Sequence, residues 1–319
     1  MPLVSRAILH IHPTRTCNLA CKHCYSTSGP AERAALDVGE LLAGTARFRA
    51  MGYEIASLSG GEPTVYPELD VLCDGLRDQG YRISVITNGL LGARAKALLD
   101  DSRADALSIS FDGLAARHDG IRLRKGAFDA ALRTLYACAG AGHRVGAVVA
   151  VTGGALPELP ALTDLLVEAG AARVQFHPIS AVGRADGQAG LEELGEIDLL
   201  RVFLLTQTLA EVHPEVDIRC DVLPRKALEA RETPRPGGLI SPLIIDSDGQ
   251  VLPFAHGIAP SWSLGRLGDQ VDPRVGPQHA ALIERLFRGL GSARASTLFS
   301  ELGRFSHQLD PSAVVREPA

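Results

Sequence analysis

No stretch of this 319-residue chain is long and apolar enough to span a membrane, and Met1 to Arg6 lack the apolar run of a secretory signal. A cytoplasmic protein with no membrane partner is the expectation. Positive charge does not predominate either: the net charge is -5, which leaves no electrostatic footprint for nucleic acid. Cysteine is scarce. Six residues without a secretory signal argue against a disulfide framework and for reduced thiols serving metal or packing. What remains is an ordinary globular composition, 46% hydrophobic and 22% charged, long enough for one large α/β domain and a smaller appendage.

Three of the cysteines lie together. Cys17, Cys21 and Cys24 follow directly on the alternating run Ala7 to His12, at spacings that let one tight loop present three thiolates to a single point. Three thiolates suit soft metals, and an iron-sulfur cubane usually takes four, so a cubane here would leave one iron open to a small molecule. Zinc is the alternative, with His10, His12 or His23 completing a closed tetrahedron. Tyr25, the next residue, could cover a cluster or an adenine with its ring.

From Ala7 to Ile179 short β-rich runs alternate with helical patterns. Strands are expected at Ile8 to His12, Ile55 to Ser59, Arg82 to Thr87, Ala106 to Phe111, Arg144 to Thr152 and Arg173 to Pro178. Helices between them end at Gly52, Gly80, Gly142 and Gly170, where a left-handed cap is wanted. Six βα units in a row imply an α/β fold, a partial (β/α)6 TIM-like barrel over residues 1–185, followed by a smaller α+β extension and tail over 186–319. Sites in such folds sit at the C-terminal ends of the strands. The cysteine loop, Ser59 to Pro63, Thr87 to Gly89 and Ser110 to Gly113 all fall on that rim. A structural zinc loop would not require this string of small and polar strand ends, which favours the cluster.

The C-x3-C-x2-C spacing closing a first strand resembles the cluster motif of the radical S-adenosylmethionine (radical SAM) superfamily. The run Cys17 to Ser26 looks most like the branch holding peptide-modifying and haem-tailoring enzymes, although His23 replaces the usual aromatic between the second and third cysteines. The resemblance implies a 4Fe-4S cluster on Cys17, Cys21 and Cys24 whose open iron chelates the methionine end of SAM. Reductive cleavage would then give a 5′-deoxyadenosyl radical that takes hydrogen from a substrate, with flavodoxin or ferredoxin as external electron donor. Gly60 and Gly61 would admit the methionine end and Glu62 would accept from its ammonium; a tight turn opened by Pro63 is the plainer reading. Ser110 and Asp112, two apart and on one side, are assigned to the ribose or methionine carboxylate, against a simple Asp112-Gly113 turn. Asn88 either caps a helix or touches SAM, Arg122 either meets SAM or substrate or is solvated, and Val151 packs on the adenine. Arg184, in a Gly-Arg-Ala phrase similar to one following the sixth strand in the branch, is expected at SAM or substrate. His177 faces substrate or is structural.

Beyond residue 186 a long helix from Leu191 to Val212 is expected, then Val216 to Cys220 and a helical run to Arg231. Next comes a hairpin of Leu239 to Asp246 with Gln250 to Phe254, and helix after Pro277. The hairpin resembles part of a SPASM or twitch extension, but Phe254 stands where a cluster cysteine is expected. Cys220 is the only cysteine after Cys138. One thiolate cannot assemble a second cube, so a single cluster and a degenerate, lid-like extension are expected. Without an auxiliary electron acceptor, a redox-neutral reaction such as epimerisation becomes plausible, with Cys220 as hydrogen-atom donor. Substrate is a small natural product or cofactor precursor, or a peptide; the lack of a leader-binding segment before the first strand favours the small molecule, or a separately encoded peptide-recognition partner.

Overall fold

The computed structural model describes residues 7–224, 236–254, 262–280, 282–283, 287–289 and 302–305. Seven parallel strands form its frame: β1 (Ala7–Ile11), β2 (Tyr53–Leu58), β3 (Arg82–Thr87), β4 (Ala106–Phe111), β5 (Val145–Val151), β6 (Arg173–Pro178) and β7 (Asp217–Cys220). Each pairs in parallel with the next. Helices α1 (Val38–Met51), α2 (Leu69–Asp78), α3 (Gly92–Asp100), α4 (Ala115–Arg122), α5 (Ala127–Gly140), α6 (Leu159–Glu168) and α7 (Glu196–Val212) alternate with them. The expected order of six βα units is present. Short β8 (Val222–Pro224) follows β7.

Local chemistry accounts for the helix ends. Asp37 accepts from the Glu40 amide at 3.0 Å and caps α1, and Gly52, Gly80, Gly142 and Gly170 all have positive φ, as the helix-stop pattern predicts. The expected helix from Leu191 begins five residues later, at Glu196, behind the N-cap Gly195.

The predicted hairpin exists as β9 (Leu243–Ile245) and β10 (Gln250–Pro253), joined by β11 (Gly265–Arg266). β9 lies parallel to β1, so the hairpin extends the barrel sheet on one side while β7 extends it on the other. After Pro277 a short 3-10 turn (Pro277–His279) leads into helical residues at Ala280, Leu282 and Ile283, as expected, while β12 (Phe287–Gly289) and β13 (Leu302–Phe305), which were not expected, form a small sheet with β8. The helical run expected up to Arg231 and the tail from Pro311 lie outside the described residues. No helix among the described residues is long and apolar enough to cross a membrane.

Alternation along the strands divides inside from outside. Leu9, Ile11, Leu107, Ile109, Phe111, Val149, Val151, Val174 and Phe176 join the continuous core beneath the helices, and fully burying each such side chain contributes about 1.5–3 kcal/mol. The opposite faces mix the branched residues Ile8, Ile86, Val148 and Ile244 with small or polar ones, His10, Ser110, Ala150, Gln175 and His177, and enclose a lumen of about 840 Å³.

Candidate active site

The cysteine loop runs from the end of β1 to α1 and is pinned along its length. Its backbone bonds across itself from Cys17 to Gly29 at 3.2 Å and from Arg15 to Ala34 at 2.7 Å, and the Lys22 amide donates to the Ile121 carbonyl at 2.9 Å. Burial pushes the Cys17 thiol up to about 12 and the Cys21 thiol up to about 11; at Cys21 the Arg122 charge works the other way. A soft metal can displace those protons. Among the described residues no three His, Cys, Asp or Glu side chains meet at one ion-sized point. Cubane donors bind separate irons and need no common point. Three cysteines on one anchored loop at the strand ends therefore fit a cluster with one open iron.

The Gly-Gly-Glu motif serves that loop. A Cβ on Gly61 would stand 2.3 Å from the Thr16 carbonyl oxygen, and one on Gly60 would stand 2.7 Å from His12 Cβ. The close approach made possible here is between backbone and cysteine loop, with Gly61 N donating to Thr14 O at 2.9 Å and Glu62 N to Thr16 O at 3.0 Å. Glu62 is buried. Its Oε1 accepts from Thr64 and Thr87 and its Oε2 accepts from the Asn88 amide at 2.8 Å, so the carboxylate ties β2 to the end of β3. Asn88 in turn donates to Asn18 at 2.7 Å and lies 3.9 Å from Cys17 Sγ.

Asp112 is wholly buried against Arg122 and two histidines. Arg122 Nε donates to it at 2.6 Å, His23 Nε2 lies 2.7 Å away and His118 Nδ1 3.7 Å away. Burial would raise its pKa, but Arg122 and His23 hold the carboxyl well below the usual range, and Asp112 keeps the Arg122 guanidinium firmly charged. Asp112, expected with Ser110 at the ribose or methionine carboxylate, is thus held in an ion pair with Arg122 that supports His23 between Cys21 and Cys24. Ser110 does face the lumen, as do Tyr25, Asp112 and Arg122. The Tyr25 hydroxyl lies 3.4 Å from His12 Nε2, and His12 Nδ1 lies 3.2 Å from Asp246 on the β9–β10 turn. Burial raises the Tyr25 hydroxyl above its ordinary value.

Three expected contacts are placed differently. Arg184 Nε donates to Cys21 O at 2.8 Å and Nη2 to Ser28 O at 2.7 Å, so this guanidinium clamps the cysteine loop instead of reaching into the lumen. Val151 points into the core beneath the helices, because the lumen face of β5 carries Val148 and Ala150, one residue out of phase. Cys220 borders the cavity, but its register partner is the core residue Phe176 and its thiol donates to Val222 O at 3.2 Å. Thr206 of α7 also bonds that thiol, and burial raises its pKa. The hydrogen-bonded thiol faces α7, and the lumen row of β7 is the alternate one, Arg219 and Asp221.

Sequence reasoning missed Asp246 and Asp221. Both lie in loops just past short strands, where only the fold decides the partner; the Asp-Ser-Asp-Gly turn signalled a hairpin and nothing about His12.

Comparison with known proteins agrees with this geometry. Residues 11–165 match the model of the Radical SAM superfamily. The chain is 32% identical over 218 residues to Fe-coproporphyrin III synthase of Methanosarcina barkeri, covering 65% of this chain and 55% of that protein. It is 31% identical over 183 residues to pre-heme d1 synthase of Dinoroseobacter shibae, covering 56% and 44%. The chain thus spans about half the length of the curated relatives it matches. Streptococcus suis SuiB, solved with S-adenosylmethionine, superposes with a TM-score of 0.68 at 16% identity, over 92% of this chain and 71% of that one, and so shares the fold. The family uses a 4Fe-4S cluster and SAM. With a cysteine loop anchored at the mouth of a partial parallel barrel, residues 11–165 of this chain carry a radical SAM superfamily domain.

Proposed function

We propose that this chain cleaves SAM at a single 4Fe-4S cluster held by Cys17, Cys21 and Cys24, and acts on a substrate lodged in the barrel lumen. The observation that carries the reading is the anchored cysteine loop, packed on Gly60 and Gly61 and clamped by Arg184, above a cavity of about 840 Å³. When bound, cluster and SAM supply one-electron cleavage of a sulfonium and a carbon-centred radical, the electron coming from an external donor such as flavodoxin or ferredoxin. The chain's own residues position and insulate. Asp112 and Arg122 neutralise each other beside the loop, Asn88 aims its amide at Cys17, and Tyr25 roofs the lumen next to Cys24.

For the substrate, a cofactor precursor is the first reading: the lumen is within the roughly 300–1,000 Å³ usual for small-molecule sites, and two relatives are named as synthases of haem-type molecules. A peptide is the second, favoured by the likeness to SuiB, one structure of which holds its precursor peptide SuiA.

The test is anaerobic. Reconstituted protein with dithionite and SAM should release 5′-deoxyadenosine and methionine, and Cys17→Ala, Cys21→Ala and Cys24→Ala should each abolish release. Bound zinc with intact SAM would overturn the reading.

A further inference from the structure

Past β6 the chain turns back onto the cysteine loop. Gly183 has a φ of 62°, and a Cβ there would stand 2.3 Å from Tyr25 O and 2.5 Å from Cys24 O, so glycine is what lets the turn lie this close. Arg184 then spans the loop. Its backbone amide donates to Cys24 O at 3.0 Å, its Nε to Cys21 O at 2.8 Å and its Nη2 to Ser28 O at 2.7 Å. In the orientation that satisfies both ends of its amide, Gln188 donates to Lys22 O at 2.9 Å and to Arg184 O at 3.2 Å. This turn lies beyond residues 11–165, the part that matches the family model.

The partners of Arg184 are carbonyl oxygens. A carbonyl satisfies a guanidinium N–H without cancelling its charge, and a guanidinium does not give up its proton in a protein. Among the described residues Arg184 has no carboxylate partner. Arg122, the other guanidinium that acts on Cys21, differs in this respect, because Asp112 accepts from it at 2.6 Å and offsets its charge. Burial raises the Cys21 thiol, and both guanidiniums act against that rise, Arg122 more than Arg184, with Asp112 opposing them. The buried Glu62 carboxylate acts on Cys17. Arg184 thus holds an unoffset positive charge against the backbone of the cysteine loop.

We infer that Arg184 is a positioning residue that makes the cluster easier to reduce, its guanidinium fixing a positive charge beside Cys21 while its hydrogen bonds hold the loop. Reduction adds one electron, from the external donor or from dithionite in vitro, and changes no bond and no proton. With three thiolates an oxidised 4Fe-4S cubane already bears net negative charge, so the added electron is stabilised by a cation held close to it in a partly dry site. Outer partners of the ligands are a general lever on such a group. The inference rests on the proposed cluster at Cys17, Cys21 and Cys24.

The experiment titrates the midpoint potential of the cluster in reconstituted holoprotein without SAM, by electron paramagnetic resonance of the reduced state. Arg184→Gln should make reduction at least about tenfold less favourable, a midpoint about 59 mV more negative than wild type, at equal iron and sulfide per chain. Arg184→Lys keeps the charge but loses the two-nitrogen fork, and it should stay near the wild-type value. Equal potentials in wild type and iron-loaded Arg184→Gln overturn the inference. If Arg184→Gln loads no iron, Arg184→Lys decides: a wild-type potential supports the role of the charge, and a potential that falls by the same tenfold overturns it in favour of a purely mechanical clamp. The 5′-deoxyadenosine assay on the same samples separates the two claims. A potential that moves, without deoxyadenosine from the wild type, keeps the role of Arg184 and overturns the radical reading, and deoxyadenosine with an unmoved potential does the reverse. Bound zinc in the wild type overturns both.

Discussion

His118 shows what a single buried residue costs this fold. It is fully buried among Phe111 and Phe128, with ring centroids 5.7 Å away in both cases, and neither ring nitrogen has a hydrogen-bond partner. Burial lowers its pKa from 6.5 to about 4, the Arg122 charge adding to the effect and Asp112 opposing it. Between those values the unfolded chain binds a proton that the folded chain refuses, so stability is complete above pH 6.5 and falls as pH drops toward 4. His118→Phe should remove that slope, a difference of up to about 3 kcal/mol near pH 4. Urea melts of both proteins between pH 7 and 4 would read it; parallel slopes would show that His118 takes up its proton without unfolding. Nothing local to His118 in the sequence marks it as an enclosed residue. Its enclosure by two aromatic rings required α4, α5 and β4 to meet.

At the scale of elements, the junction of β2 with the cysteine loop is one of the tight contacts in the site. Gly61 has ordinary φ, so its need for glycine is steric: the Thr16 carbonyl would stand 2.3 Å from a new Cβ. Gly61→Ala should destabilise the fold by about 1–3 kcal/mol and displace the loop, lowering iron bound per chain after reconstitution. Gly153→Ala, whose Cβ would meet Leu194 at 3.9 Å, is the control and should load iron normally. Full loading by Gly61→Ala would mean the loop can shift without losing its cluster. The Gly-Gly-Glu-Pro motif itself was legible from sequence, but its partner was not. A glycine in a sequence records that something comes close, and the topology decides that it is the Thr14–Thr16 backbone.

For the whole molecule, the question is whether residues 1–185 stand alone. The strands beyond that point occupy both flanks: β7 pairs with β6, and β9 pairs with β1 while Ile245 O accepts from His12 N at 2.9 Å. Tyr53 Oη also donates to Ile240 O at 2.6 Å. A chain ending at residue 185 should therefore expose two unpaired edges and the apolar faces of Val174 and Phe176. Gel filtration and near-ultraviolet circular dichroism should find it aggregated or without fixed packing; a folded monomer that loads iron would make residue 185 a true domain boundary. By itself the sequence determined the βα order, the helix stops and the cysteine loop on the strand-end rim, because periodicity, left-handed glycine caps and close spacing are local properties of the chain. Only the tertiary structure decided which polar residues serve the loop and which face the lumen. Arg184, Asp112 and Glu62 find partners far along the chain, and a strand with a period of two turns Val151 and the Cys220 thiol to the outer layer by a single residue of register.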